Sequence, residues 1–247
     1  MPLIDQFSLQ LFSLRDEADM GMEAMLGEVA KLGYTGVEFA GYGGLDAHEM
    51  KRVLAANKLK PVGTHAAITR LEDALDEELA FNREIGTEYI VVPAIKMDTE
   101  DDAREAARRF NAVAPKIREA GFGFAYHNHD NEFKKPDGRY LMDILCGLVP
   151  AEAMDVELDI YWAAYAGVDS LAWMKGMAGR VKLLHVKQMR DYETRKCVDL
   201  DEGVIDFREI ITAGLGLGVR HFILEQEEYA VSPFASVKKG CEYILSL

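Results

Sequence analysis

The chain has little cysteine, no long apolar run and few positive charges for its size. Cys146, Cys197 and Cys241 lie far apart in 247 residues. Odd in number and widely spaced, they make neither a disulfide framework nor a zinc-ligand spacing, and a reduced, cytoplasmic chain is expected. No stretch approaches the ~20 apolar residues of a bilayer span. Met1 to Gln6 lack the basic and apolar regions of a secretory signal. Lys and Arg number 28 against 42 Asp and Glu, a net charge of −14. Nucleic acids and anionic membranes are held by basic patches, so neither is an expected partner. A glycine-rich turn after the first strand-like run is also missing. Ser13-Leu14-Arg15-Asp16 stands there instead, which argues against a dinucleotide-binding open sheet.

What is present is an alternation of short apolar runs with helical patterns. Strands are predicted at Phe7 to Ser13, Thr35 to Ala40, Lys60 to His65, Tyr89 to Pro93, the run from Gly121 through His129, Met154 to Asp159, Val181 to Lys187 and His221 to Glu225. Helices are predicted at about Asp19 to Lys31, Asp46 to Asn57, Leu71 to Ile85, Thr99 to Ala120, Gly138 to Gly147, Ser170 to Met177, Asp206 to Ala213 and Pro233 to Leu245. Asp46 with Glu49 three residues on reads as a capping box, and Gly33, Gly86 and Gly121 as helix stops. A polar excursion, Met189 to Gly203, interrupts the seventh unit. Eight β-α units in this length predict an α/β fold, a (β/α)8 barrel occupying 1–247 as one domain.

Such barrels place their chemistry at the C-terminal ends of the strands. Here those ends carry Glu38, His65, His127-Asn128-His129, Glu157-Leu158-Asp159, His185-Val186-Lys187 and Glu225-Gln226-Glu227. Charged residues are rare in buried strands unless paired or ligating. Residues two apart in a strand share a face, so His127 and His129 are expected to point the same way. Taken singly, each has a structural reading: Glu38 as a partner of Arg15, Glu157 as a partner of Lys187, Asp130 and Glu132 as loop carboxylates. Asp159, His185 and Glu225 are the strongest candidates as ligands. A His, Asp, His, Glu set suits a divalent metal ion, Mn, Co, Zn or Mg, better than a thiolate-seeking one.

Several stretches resemble one family. Tyr126-His127-Asn128-His129-Asp130-x-Glu132-Phe133, Glu157-Leu158-Asp159-x-Tyr161-Trp162 before Ala166-Gly167, His185-Val186-Lys187, Gly203-Val204-Ile205-Asp206-Phe207, Leu224-Glu225-Gln226 and Gly33-Tyr34-x-Gly36-Val37-Glu38-Phe39 are similar to the sugar phosphate isomerase/epimerase family. This is the xylose-isomerase-like TIM barrel superfamily that also holds the type 2 AP endonucleases. The resemblance implies a divalent ion held by His127 or His129 with Asp159, His185 and Glu225. Two departures stand out. Histidine replaces the glutamate that epimerases carry at the fifth strand, and Gln188 stands where aspartate is more usual.

The expected reaction is isomerisation or epimerisation of a sugar or cyclic polyol, by proton abstraction next to a carbonyl. The alternatives are a lyase or hydrolase of a 3-keto-glycoside, a keto-inositol dehydratase on the same site, and a non-catalytic sugar-binding barrel. Expected catalytic residues are Glu225, His129, Lys187, Glu132 and Glu157. Expected substrate-binding residues are Glu38, His65, Tyr42, Trp162 and Phe12. No glycine-rich phosphate cradle follows strands seven or eight, which favours an unphosphorylated substrate. Homo-oligomerisation is left open by the sequence.

Overall fold

The structure, a computed structural model, describes residues 6–177 and 179–247. The signal reading of Met1 to Gln6 falls largely outside them. Eight parallel strands close into a barrel: β1 (Phe7–Gln10), β2 (Gly36–Phe39), β3 (Lys60–His65), β4 (Tyr89–Val92), β5 (Gly123–His127), β6 (Asp155–Asp159), β7 (Val181–Val186) and β10 (His221–Leu224). β10 pairs with β1 to shut the ring, Phe7 beside Phe222 and Leu9 beside Leu224. The polar excursion contains a small antiparallel hairpin, β8 (Gln188–Met189) with β9 (Cys197–Val198). Among the described residues, no helix is long and apolar enough to cross a membrane.

The strands have two faces, and each has its own core. Outward residues such as Phe39, Ile90, Phe124, Tyr126, Leu158 and Leu184 join the helices in one large apolar cluster. Inside the barrel, Val62, Tyr89, Val91, Ala125, Leu183 and Ile223 form a separate apolar plug. The polar residues described below follow the plug on the same strands, so the interior changes from apolar to ionisable towards the C-terminal mouth. Irregularities on two strand pairs set the phase. Register shifts between Val37 and Glu38 where β2 meets β3, and between Val156 and Glu157 where β6 meets β7.

The helices agree with expectation where local chemistry is strong. α2 (Ala47–Asn57) has both hydrogen bonds of the Asp46–Glu49 capping box, and α5 (Glu100–Glu119) starts with one between Thr99 and Asp102. α10 (Pro233–Leu245) begins with proline after the Ser232 cap. Elsewhere the chain differs. The first strand stops at Gln10, whose side chain accepts a hydrogen bond from Phe12 N and turns residues Leu11–Met20 into a 3-10 segment; α1 (Met22–Lys31) follows a positive-φ Gly21. The predicted third helix is two, α3 (Ile68–Asp73) and α4 (Leu75–Ile85), broken at Ala74 with φ −145°. After α6 (Leu141–Leu148), an unpredicted α7 (Ile160–Tyr165) follows β6 directly, ahead of α8 (Ser170–Gly176); α9 (Phe207–Leu217) completes the set.

Gly123 marks one point where the plug tolerates no side chain. A Cβ there would lie 2.3 Å from ring carbons of buried Tyr89. Gly123→Ala is expected to destabilise the chain by about 1–3 kcal/mol, the usual cost of overpacking a dense interior. Urea unfolding followed by circular dichroism measures it, and an unchanged midpoint would show that the ring moves aside freely.

Candidate functional site

The barrel register builds the site. His127 lies beside Glu157 across β5 and β6, and Asp159 beside His185 across β6 and β7. Neighbours at one level of a parallel sheet point the same way, so these side chains converge inside the mouth. Glu225 joins them one residue past β10. His127, Asp159, His185 and Glu225 each offer a ligand atom, all within 4.8 Å of one another, and a second, overlapping group contains His65, His127, Glu157 and His185. His129 belongs to neither group. Of the two histidines left open by the sequence, His127 is therefore the one brought to Asp159, His185 and Glu225.

Several contacts hold these residues in place. Asp159 Oδ1 caps α7 by accepting from Trp162 N at 2.9 Å, while Oδ2 is buried with no partner. Asn128 ties the two strand ends together. Its Oδ1 accepts from Asp159 N at 3.0 Å, and its Nδ2 donates to Asp159 O at 3.3 Å. The two ring nitrogens of His185 face two carboxylates, Nε2 to Glu38 at 2.8 Å and Nδ1 to Glu225 at 3.3 Å. Glu157 Oε2 meets His65 Nε2 at 2.9 Å and His127 Nδ1 at 3.1 Å. Lys187, fully buried, pairs with Glu225 at 3.6 Å and with Glu227, beneath the rings of Tyr161 and Trp162.

Burial and close charges divide the titratable groups. Burial opposes protonation of His65, but Glu38 and Glu157 outweigh it and raise its pKa to about 10. His185 is likewise raised, against burial, by Glu157, Glu225 and Glu38. Burial, together with the neighbouring His185, holds His127 low. Burial also holds His129 low, with Lys187 adding to it. Among the acids, burial pushes Glu157 up to about 7, helped by the Glu38 charge. Burial likewise pushes Asp159 up to about 6, with Lys187 and His185 pulling the other way. Glu225 goes down despite burial, because Lys187 and His185 favour its charged form.

A cavity of about 390 Å³ opens onto this group. One wall is Phe12, Ala40, Pro93 and Ala94; the other is His65, His127, His129, Glu225 and Glu227. A larger hollow of about 560 Å³ lies at Val168, Tyr192, Val204 and Asp206, and its wall has no histidine, lysine or arginine. Its ionisable groups are Asp169, Asp206, Glu209 and Tyr192, and the histidines His65, His127 and His129 lie against the smaller one.

The other expected site residues fall in varied places. Glu38 and Glu157 are wholly buried beneath the cavity and do not line it. Tyr42 packs on the outer layer, stacked 3.9 Å from Phe81 and bonded to Glu78, Asn82 and Thr64, so it is not brought to the cavity. Glu132 accepts from Tyr126 Oη at 2.5 Å and from His129 N at 2.8 Å; it braces the loop after β5. Trp162 packs against His129 with centroids 5.4 Å apart. Neither structural partner expected for the buried acids is used: Arg15 bonds Tyr229 and the Glu227 carbonyl, and Glu157 meets histidines. Four residues had no site role assigned from the sequence: Gln10, Gly63, Asn128 and Glu227. Asn128 carried a signal, lying between the two conspicuous histidines. Gln188, in the aspartate position, is a brace as well. Its amide reaches Leu200 O and accepts from Ile205 N, against Gly203, where a Cβ would meet Met189 O at 2.1 Å.

The donor set fits a divalent cation. It mixes imidazole nitrogen with carboxylate oxygen, and it includes an Asp159 oxygen that is buried and has no partner, a costly arrangement unless something binds there.

Comparison with known proteins agrees with this architecture. No curated protein matches the sequence. A sugar phosphate isomerase/epimerase structure from Parabacteroides distasonis ATCC 8503 superposes with a TM-score of 0.84 at 24% identity, over 97% of this chain and 93% of that one. 3-Keto-D-glucoside 4-epimerase YcjR from E. coli gives 0.68 at 13%, covering 98% of each chain. The IolI protein, solved with a bound zinc atom, gives 0.76 at 10%, covering 98% of this chain and 97% of that one. At these identities the likeness establishes the fold. The family model for a xylose isomerase-like TIM barrel matches residues 26–247, and with nearly the whole chain covered, the protein belongs to that family.

Proposed function

We propose that this chain is a divalent-metal-dependent isomerase or epimerase acting on an unphosphorylated sugar or cyclic polyol. The observation that carries the reading is a four-donor group directly against a cavity whose wall also presents a neutral imidazole, His129. The cavity volume sits near the lower end of the range for small-molecule sites. Its apolar wall suits the C–H face of a sugar ring and its ionisable wall the hydroxyl edge. The Parabacteroides relative is described as acting on sugar phosphates, and the E. coli one on a 3-keto-glucoside. No lysine or arginine lines this cavity while Glu225 and Glu227 do, which disfavours a phosphate group and supports a neutral sugar.

His127, Asp159, His185 and Glu225 would hold the ion, with manganese the first choice for reconstitution. When bound, such an ion supplies charge stabilisation for an oxygen that becomes negative as the neighbouring carbon loses its proton. The side chains handle the proton. His129 faces the cavity with an imidazole held neutral by burial, so it is able to accept one. Glu225 faces the same space from another strand and is kept ionised by Lys187 and His185. Removal by one and return by the other to the opposite face inverts a carbon; return by the same group to the former carbonyl carbon, with the hydroxyl proton passing to the other oxygen, moves the carbonyl instead. Lys187 acts through Glu225 and Glu227 and does not line the cavity.

Activity on ketoses or 3-keto sugars is expected to vanish after EDTA dialysis and return with manganese; full activity after chelation sinks the reading. In D2O the carbon next to the carbonyl should exchange without elimination, as followed by proton NMR. Release of an aglycone or a dehydrated product would turn the assignment to a hydrolase or lyase. His129→Gln should lower kcat by roughly 10²–10⁴ with little change in KM, the usual range for loss of an acid-base group.

Ion affinity should rise with pH. His185 has a raised pKa, so an ion must displace its proton, and Asp159, with a pKa of about 6, competes through its own proton below that pH. Zinc titrations between pH 5.5 and 8 should show tighter binding at each step up. A pH-independent constant would remove those two groups from the ligand set.

A further inference from the structure

We infer that Glu38, His65 and Glu157 form a supporting layer that decides which ring nitrogen of each ligand histidine is free, Nδ1 for His185 and Nε2 for His127. The inference rests on reading His127, Asp159, His185 and Glu225 as a metal site. It gives the three residues a role other than substrate binding or proton transfer.

An ionised carboxylate only accepts hydrogen bonds, so a ring nitrogen facing one carries the hydrogen. Glu38 Oε2 lies 2.8 Å from His185 Nε2. The same oxygen accepts from Gln10 Nε2 at 2.8 Å and approaches His65 Nε2 at 3.3 Å, which holds it from three sides. Its other oxygen, Oε1, rests where a Cβ on Gly63 would come within 2.4 Å. Only glycine at that point of β3 leaves room for the carboxylate. With Nε2 held by Glu38, which is outside the donor group, the nitrogen left for an ion is Nδ1, whose neighbour at 3.3 Å, Glu225, is itself one of the four donors.

Glu157 treats His127 the same way in mirror order. Its Oε2, which also faces His65 Nε2 at 2.9 Å, meets Nδ1 at 3.1 Å and leaves Nε2, and any proton on this acid has the unpartnered Oε1 to sit on. His65 spans the two carboxylates, 2.9 Å from Glu157 and 3.3 Å from Glu38, and so fixes them relative to each other. Glu38 and Glu157 are fully buried and absent from the cavity wall. Carboxylates behind ligand histidines set ring orientation and raise basicity, and their loss costs about 10–100-fold in metal affinity.

The rival arrangement is a second ion within the group formed by His65, His127, Glu157 and His185. Zinc titration of the full chain separates the two. One ion per chain is expected, with affinity reduced about 10–100-fold in Glu38→Ala and less in Glu38→Gln, whose amide oxygen still accepts. Long-range proton–nitrogen NMR of the zinc-loaded, histidine-labelled chain should show one ligand bound through Nδ1 and one through Nε2. Two ions per chain, both ligands bound through the same nitrogen, or a Glu38→Ala chain that binds as tightly as wild type would each overturn the inference. Were Glu38→Ala to unfold, by circular dichroism, the wild-type nitrogen pattern decides alone. A wild-type chain that binds no divalent ion overturns the metal site itself, and this layer with it; one ion bound with matching nitrogens overturns only the layer.

Discussion

Buried negative charge is the constraint from which the rest of this molecule follows. Glu38, Glu157 and Asp159 have no solvent exposure and Glu225 has 5%. Carboxylates taken out of water are stable only with close positive partners and satisfied oxygens. Here the positive partners are Lys187 and the imidazoles of His65 and His185, with the His127 ring, held neutral, as a further hydrogen-bonding neighbour, packed so closely that a single oxygen, Glu157 Oε2, meets three rings. Against burial, the neighbouring carboxylates raise His65 and His185, while burial raises Glu157 and Asp159.

The same constraint explains the plug. An apolar layer of Val62, Tyr89, Val91, Ala125, Leu183 and Ile223 closes the barrel on the N-terminal side of the charges. With water excluded from below, the ionisable groups meet solvent only through the mouth, and electrostatic interactions there are stronger than they would be at a surface. Asn128 and Gln188 serve that mouth by spending side-chain amides on backbone. One joins the ends of β5 and β6, and the other folds the long excursion after β7 back over the barrel.

Much of this was legible in the sequence. The eight-unit alternation needs only periodicity and glycine stops, and the strand ends announced themselves because ionisable residues in apolar runs need a reason. What stayed hidden depends on neighbours distant in the chain. Nothing in the spelling of Glu38 or Glu157 separates a carboxylate that meets substrate from one that sits behind a histidine; the difference is which way the cavity lies. Tyr42 follows a strand end as a pocket aromatic would, yet Phe81 and Glu78 draw it outward. Asp159 concealed α7, since one of its oxygens is a helix cap and the other belongs to the site. Gly63 and Gly203 are ordinary letters until a carboxylate and a carbonyl are seen against them.

The origin of the parts along the chain has a consequence for assembly. His127, Asp159, His185 and Glu225 come from β5 onward, whereas Gln10, Glu38 and His65 come from the first three strands. The two contributions meet only when β1 pairs with β10. A chain with its later strands in place and its first strands still loose would carry all four proposed donors but lack the Glu38 carboxylate that meets His185 Nε2. On the proposed metal site, tight ion binding and closure of the ring are thermodynamically linked, and the bound ion would strengthen the β1–β10 seam from across the barrel axis.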